Sequence, residues 1–394
     1  MATIDPRALR GNWSYPTTIR FGAGRIAELP DACAALGIAR PLLITDPGLA
    51  GHSIGERVLS IARAAGLPIA LFADVRPNPT GADVAAGVEA LRRGSYDGVV
   101  ALGGGSGLDA AKAIAFMAAQ ERPIWDFEDR GDNWRLAATA GLAPVVAVPT
   151  TAGTGSEVGR AAVITRQDSH EKCIIFHPRM LPGQVIADPE LTLGLPANLT
   201  AWTGIDALSH SLEALCAPGF HPMADGIAAE ALRLIHRWLP VAVKDGRNLA
   251  ARAHMLAAAS MGAVAFQKGL GAMHALAHPI GGLLDRHHGL TIAIVMPYVL
   301  VENRHAIALR LQQLARVLGL AQPDYDGLLG WIIDLRRDLQ IPSDLAALGM
   351  TEEHVPILAP RAAADPSAGG NPLPLDADGY AALYRKALSG RLNA

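Results

Sequence analysis

The chain is poor in cysteine, in charge and in unbroken apolar runs, and each shortage excludes a class of protein. Its 394 residues include three cysteines, Cys33, Cys173 and Cys216. They are scattered and odd in number. That pattern excludes a disulfide framework and a paired-cysteine metal knuckle, and it suits a reducing compartment. Charged residues make up 18% of the chain and the formal net charge is −3, which leaves no electrostatic footprint for nucleic acid. No apolar run approaches the roughly 18 residues of a membrane helix. The opening MATIDPRALRGNW puts Asp5 and Pro6 where a secretory signal needs an apolar core. A cytoplasmic protein without a membrane partner is therefore expected. Internal repeats and low-complexity tracts are also missing. Hydrophobic residues, by contrast, form 50% of the chain, which describes a compact protein long enough for two domains.

The first half alternates two kinds of segment. Short apolar runs at 41–45, 68–73, 97–102 and 144–148 read as strands, and 54–65 and 82–93 carry helical spacing. Strands separated by helices of this length predict βαβ units and a parallel sheet. Apolar composition throughout each run suits strands covered on both faces. After about residue 190 the texture becomes Ala/Leu-rich with period 3.6, as at 224–237, 249–265 and 305–317, which predicts helices. The run TIAIVM (291–296) fits a buried helix or a strand. DPELTLGLP (188–196) is a Pro/Gly-punctuated boundary, so the expected domains are 1–190, α/β, and 191–394, all-helical. The stretch 365–374 reads as a loop before a last short helix.

Two polar loops follow predicted strands. In GGGSGLDAAK (103–112), Gly104 and Gly105 would let the backbone approach a phosphate, and Ser106 adds a hydroxyl. The helix that follows presents free N–H groups and a positive dipole end. Ala110 stands where a G-x-G-x-x-G fingerprint needs glycine, and Ala113 follows Lys112, so this is neither that motif nor a Walker A loop. The alternative is a tight βα turn with Asp109 in its first helical turn. The second loop, PTTAGTGSE (149–157), offers Thr150, Thr151, Thr154 and Ser156. Loops at the carboxyl ends of adjacent parallel strands are where open α/β sheets bind ligands. Asp46 ends the first clear strand, placed either to accept from a ribose, favouring NAD over NADP, or to make a turn before Pro47 and Gly48.

The second half contains an ordered set of metal-ligand types. Asp206 and His210 are four apart, as are His274 and His278, so each pair shares one helix face. His287 and His288 follow in DRHHGL. Four such side chains can close around one divalent ion. Imidazole suits Zn, Fe and Cu, and a carboxylate helps hold a harder ion such as Fe(II). No rigid H-E-x-x-H motif is present, and a set of satisfied core histidines is the alternative.

In this order, GGGSGLDAAK, PTTAGTGSE, GIDALSHSLEA, GAMHALAHPIGG and the His288–Gly289 pair resemble the iron-containing (group III) alcohol dehydrogenases. The likeness runs from RFGAGRIAEL (20–29) to GGNPLPL (369–375). It implies an N-terminal dinucleotide-binding α/β domain and an all-helical C-terminal domain, a dehydroquinate synthase-like architecture with the active site in a cleft. It further implies metal held by Asp206, His210, His274 and His288, with His278 near the reaction centre. NAD would be held by Asp46, Asn78, Gly104, Gly105, Ser106, Asp109, Thr150, Thr151, Thr154 and Lys172. Leu290, Thr291 and His287 depart from the commonest family choices and put the substrate, more than the reaction, in question.

The expected reaction is reversible hydride transfer between NAD(H) and a small alcohol/aldehyde pair. The metal, Fe(II) or alternatively Zn, would act as Lewis acid, and His278 would relay a proton or support the metal site. Alternatives are a metal-independent maleylacetate reductase-type enzyme, a zinc-dependent polyol or sugar-phosphate dehydrogenase, and a non-enzymatic metal- or nucleotide-binding module. A sugar-phosphate substrate would need cationic side chains, for which Arg160, Lys268 and Arg286 are candidates. A homodimer is expected from symmetry.

Overall fold

The computed structural model describes residues 11–13 and 17–392. These fall into two compact units. The first comprises the described residues up to 194 with 247–256, and the second 195–246 with 257–392. The division falls inside the Pro/Gly-rich stretch 188–196, four residues after the expected cut at 190, and residues 247–256 group with the first unit.

The first unit is built on a seven-stranded sheet. Its strands are β1 (Gly11–Trp13), β2 (Thr18–Phe21), β3 (Pro41–Ile44), β4 (Ala70–Phe72), β5 (Gly98–Gly103), β6 (Val145–Pro149) and β9 (Gln184–Ala187), and β7 (Ala161–Arg166) and β8 (Glu171–Phe176) form a separate antiparallel hairpin. The sheet order is β1-β2-β9-β6-β5-β3-β4, parallel except for the β1–β2 pair. Every residue of β3, β5 and β6 is buried, as expected of strands covered on both faces. Leu43, Val100, Leu102, Val146 and Ile186 join Leu29 and Val58 in one core. From β3 the chain moves out to β4, then returns to the other side of β3 as β5. The order therefore reverses between β3 and β5, the kind of position where doubly wound sheets bind ligands.

The second unit is helical, with its long elements at Ala197–Cys216, Pro222–Lys244, Ala272–Leu284, His288–Glu302, Arg304–Leu318, Tyr325–Asp338, Val355–Ala364 and Ala377–Ser389. TIAIVM lies inside the His288–Glu302 helix and is buried throughout, which explains why it shows no amphipathic period. The expected loop at 365–374 contains a short 3-10 turn, Pro366–Gly370. Among the described residues one straight stretch, Leu249–Lys268, is long and apolar enough by composition to cross a membrane; 67% of its most apolar window is buried within the protein. A search for uninterrupted apolar runs passes over such a helix.

Candidate functional site

In the first unit the expected cofactor residues gather at the carboxyl ends of four adjacent strands. Asp46 follows β3, Asn78 lies beyond β4, Gly104–Ser106 follow β5, and Thr150 and Thr151 follow β6. Gly104 caps the Gly105–Met117 helix. The two polar loops press together here. A Cβ on Gly104 would sit 3.1 Å from Thr151 Cγ2, and one on Gly105 only 2.6 Å from Thr154 Cγ2. Thr150 N–H donates to the Gly103 carbonyl (2.9 Å). Asn78, with φ of 52°, donates its N–H to Ser106 Oγ (3.3 Å). Lys172 stands on β8 opposite Thr165, and Thr165 bridges to Thr80.

The two carboxylates among these residues, Asp46 and Asp109, are held by neighbouring groups of the fold. The Asp46 carboxylate accepts from Leu49 N–H (3.0 Å) and caps the Pro47–Ala50 helix, which is the turn alternative noted above. Asp109 was expected among the cofactor contacts. Its carboxylate instead accepts from Ser156 Oγ–H (2.5 Å) and Val163 N–H (2.9 Å) and pairs with Lys112 (3.2 Å). Lys112, 1% exposed, donates in turn to the Ser156 carbonyl (2.9 Å) and to that of Ala161. Burial drives the Lys112 ammonium below its usual range, against the pull of Asp109 and Glu157. Asp109 and Lys112 thus fasten the second polar loop and β7 to the helix behind the first loop.

The second unit holds the metal-ligand set, and three helices supply it. The Ala197–Cys216 helix carries Asp206, His210 and Glu213 on one face, the Ala272–Leu284 helix carries His274 and His278, and the His288–Glu302 helix begins with His288. The helix start at His288 abuts the Asp206 helix because residue 289 is glycine; a Cβ there would strike the Trp202 carbonyl and lie 3.3 Å from Asp206 Cβ. Ligand atoms of Asp206, His274 and His288 all lie within 4.8 Å of one another. His288 Nε2 is 3.5 Å from Asp206 Oδ1. His210 stands at the edge of this group, with Nε2 3.9 Å from the same oxygen and its ring stacked on His274 at 4.8 Å. His278 stacks on His288 at 5.2 Å.

Two carboxylates that the sequence reading passed over orient the imidazoles. Glu213 Oε2 lies 2.5 Å from His274 Nδ1, and Oε1 accepts from Met273 N–H (2.7 Å). Asp365 Oδ2 lies 2.9 Å from His278 Nδ1, while Oδ1 accepts from Ser367 N–H (2.8 Å). Glu213 had a signal: it follows His210 by three residues on the face that already carries Asp206 and His210. Asp365, 87 positions from His278, had none.

A divalent metal fits these residues. The donors are one carboxylate and imidazoles. His274 is 2% exposed and its Nε2 is buried with no hydrogen-bond partner. Glu213 occupies the other ring nitrogen, the carboxylate–histidine arrangement that directs a ligating nitrogen. Burial opposes a charge on His274, but Glu213, reinforced by Asp206 and Asp365, overcomes it and the pKa shifts upward. For Asp365 burial again opposes charge, and His278 with Ser367 holds the carboxyl below its ordinary value.

The cationic candidates for a phosphate are otherwise engaged. Lys268 pairs with Asp225, its side chain 2% exposed, Arg286 Nε–H donates to the Leu348 carbonyl (2.7 Å), and Arg160 stacks over Phe176.

Residues 16–189 match the family description "Iron-containing alcohol dehydrogenase", and 200–388 match "Fe-containing alcohol dehydrogenase family, C-terminal". A 4-hydroxybutyrate dehydrogenase of Cupriavidus necator is 40% identical, over 86% of this chain and 90% of that protein. A solved 1,3-propanediol oxidoreductase superposes with a TM-score of 0.89 at 36% identity, covering 94% of this chain and 97% of the other. A sulfoacetaldehyde reductase from Bifidobacterium kashiwanohense, solved in complex with NAD+, gives 0.85 at 31% identity, covering 95% and 97%. The chain belongs to the iron-containing alcohol dehydrogenase family.

Proposed function

We propose that this NAD-dependent alcohol dehydrogenase holds Fe(II) through Asp206, His210, His274 and His288. It would bind NAD(H) through the loops carrying Asp46, Asn78, Gly104, Gly105, Ser106, Thr150, Thr151 and Thr154, with Lys172 beside them and Asp109 bracing them from behind. The observation that carries the metal assignment is His274, whose buried Nε2 has no partner while Glu213 secures Nδ1. When bound, the ion supplies Lewis-acid polarisation of the substrate oxygen.

The protein's own groups do the rest. The Gly104–Ser106 backbone and the adjoining helix start orient the pyrophosphate. Asp365, kept ionised, accepts from His278 Nδ1–H; that tautomer leaves Nε2 able to take the alcohol proton and pass it to solvent. The reverse transfer serves aldehyde reduction.

The substrate proposed is a short, unphosphorylated primary alcohol bearing a second oxygen function, or its aldehyde. Support comes from the relatives named for 4-hydroxybutyrate and 1,3-propanediol and from the engagement of Lys268 and Arg286. Fe(II) rather than Zn(II) is the proposed ion, although the same donors take both and affinity favours zinc. The three cysteines are free and buried, which supports a reducing, cytoplasmic setting, and a homodimer is the proposed assembly.

The test is anaerobic NADH oxidation with 4-oxobutyrate, 3-hydroxypropanal and unsubstituted short aldehydes, using chelated, Fe(II)-loaded and Zn(II)-loaded protein. Turnover should return with Fe(II) and favour the first two substrates. Equal turnover in the chelated sample would replace this reading with a metal-independent reductase.

A further inference from the structure

Behind His274 lies a polar junction that holds the start of its helix. The Ala272–Leu284 helix begins two residues before His274, so its first N–H groups need acceptors. Gly271, its cap residue, has no side chain to offer one. Two side chains from distant parts of the second unit take this role. Glu213 Oε1 accepts from Met273 N–H (2.7 Å). Asn371 Oδ1 accepts from Ala272 N–H (3.2 Å). Asn371 is itself held by a reciprocal amide pair: Asn303 Nδ2–H donates to Asn371 Oδ1 (2.8 Å), and Asn371 Nδ2–H donates to Asn303 Oδ1 (3.0 Å) and to the Leu373 carbonyl (2.7 Å). Asn303 and Asn371 are 4% and 5% exposed. A small space of about 10 Å³, bordered by Glu213, Gly271, Asn303 and Asn371, adjoins the pair; a site of that size admits at most one water.

Buried amides cost desolvation unless their groups are matched. Here the matched groups converge on the backbone that carries His274. Glu213 fixes both the imidazole and the second N–H of its helix, while Asn371 fixes the first.

We propose that Asn371, locked by Asn303, is a positioning residue for His274 and thereby sets the affinity of the metal centre. This deepens the metal assignment made above and rests on it.

The test measures Zn(II) affinity of the metal-free full-length protein by competition with a chromophoric chelator, alongside the thermal midpoint. The unsubstituted protein comes first: failure to bind stoichiometric Zn(II) would overturn the metal assignment itself. Given binding, Asn371→Ala should raise the Zn(II) Kd about 10-fold or more, the scale of losses when a group supporting a ligand is removed. A lowered midpoint with unchanged Kd in Asn371→Ala would reduce the residue to a purely structural role and overturn the inference. Should Asn371→Ala fail to fold, Asn303→Ala carries the decision, because it leaves the Asn371–Ala272 bond possible but unlocked. A several-fold weaker Kd is expected, and an unchanged one would overturn the inference.

Discussion

The two units prepare ligand sites by opposite means. In the first, the candidate groups are backbone N–H donors and short hydroxyls on loops, and their placement comes from glycines that let two loops touch. In the second, the groups are long side chains on three helices, and carboxylates and amides behind them fix each ring. A loop site of the first kind depends on the glycines that let its two loops approach. A side-chain site of the second kind fails when a single donor or its support is lost. The first suits a ligand with spread negative charge, such as a pyrophosphate. The second suits a point cation, because a carboxylate and two imidazoles bring ligand atoms within 4.8 Å of one another.

The sharpest way to break this comparison is His274→Ala. It should abolish metal-dependent turnover while NADH binding, followed by fluorescence, stays within a few-fold of normal. Loss of NADH binding as well would show that the two sites are not prepared independently. Next in size is Glu213→Gln, which puts an amide against His274 Nδ1. Metal Kd should rise about 10- to 100-fold with NADH affinity unchanged, read by metal competition and fluorescence titration.

Gly105→Ala probes the other unit. Its Cβ would press on Thr154 Cγ2 and part the two loops, so KM for NADH should rise about 10-fold, an expected cost of about 1.4 kcal/mol, with metal affinity unaltered.

The smallest effect concerns Asp365. Its carboxyl pKa is lowered in the folded state, so the stability it contributes is present above the ordinary carboxylate pKa and is lost as pH falls through the lowered value. Thermal midpoints of the wild type and Asp365→Asn should differ near neutral pH and converge as acid protonates Asp365. A constant gap across that range would show that the Asp365–His278 contact is not an ionic one.

Much of the fold was legible because its signals are local. The buried runs at β3, β5 and β6 and the helices between them announce a parallel sheet, and the Ala/Leu periodicity announces the helical half. The strands that escaped reading are informative. β2 is only four residues, TIRF, with alternating burial, and it gains its identity from β9, to which Ile19 pairs through Val185. The β7–β8 hairpin is joined through His170 at φ 55°, without the Asn-Gly or Asp-Gly that marks a tight turn.

The candidate site divides in the same way. Asp206, His210 and Glu213 share a face because a helix repeats every 3.6 residues, a relation written into adjacent sequence. The glycine loop after β5 is equally local, since a strand, a glycine cluster and a helix start follow one another along the chain. Composition and spacing therefore determined the two-part architecture, the family likeness and the residue types available for chemistry. Tertiary structure alone decided their partners. It turned Asp109 toward Ser156, brought Asp365 to His278, and set Asn371 and Asn303 behind the His274 helix. Such pairings join segments 47 to 99 positions apart, and no periodicity spans that distance. Which side chains meet depends on how whole helices and strands bury their apolar faces, a property of the packed molecule rather than of any stretch of its sequence.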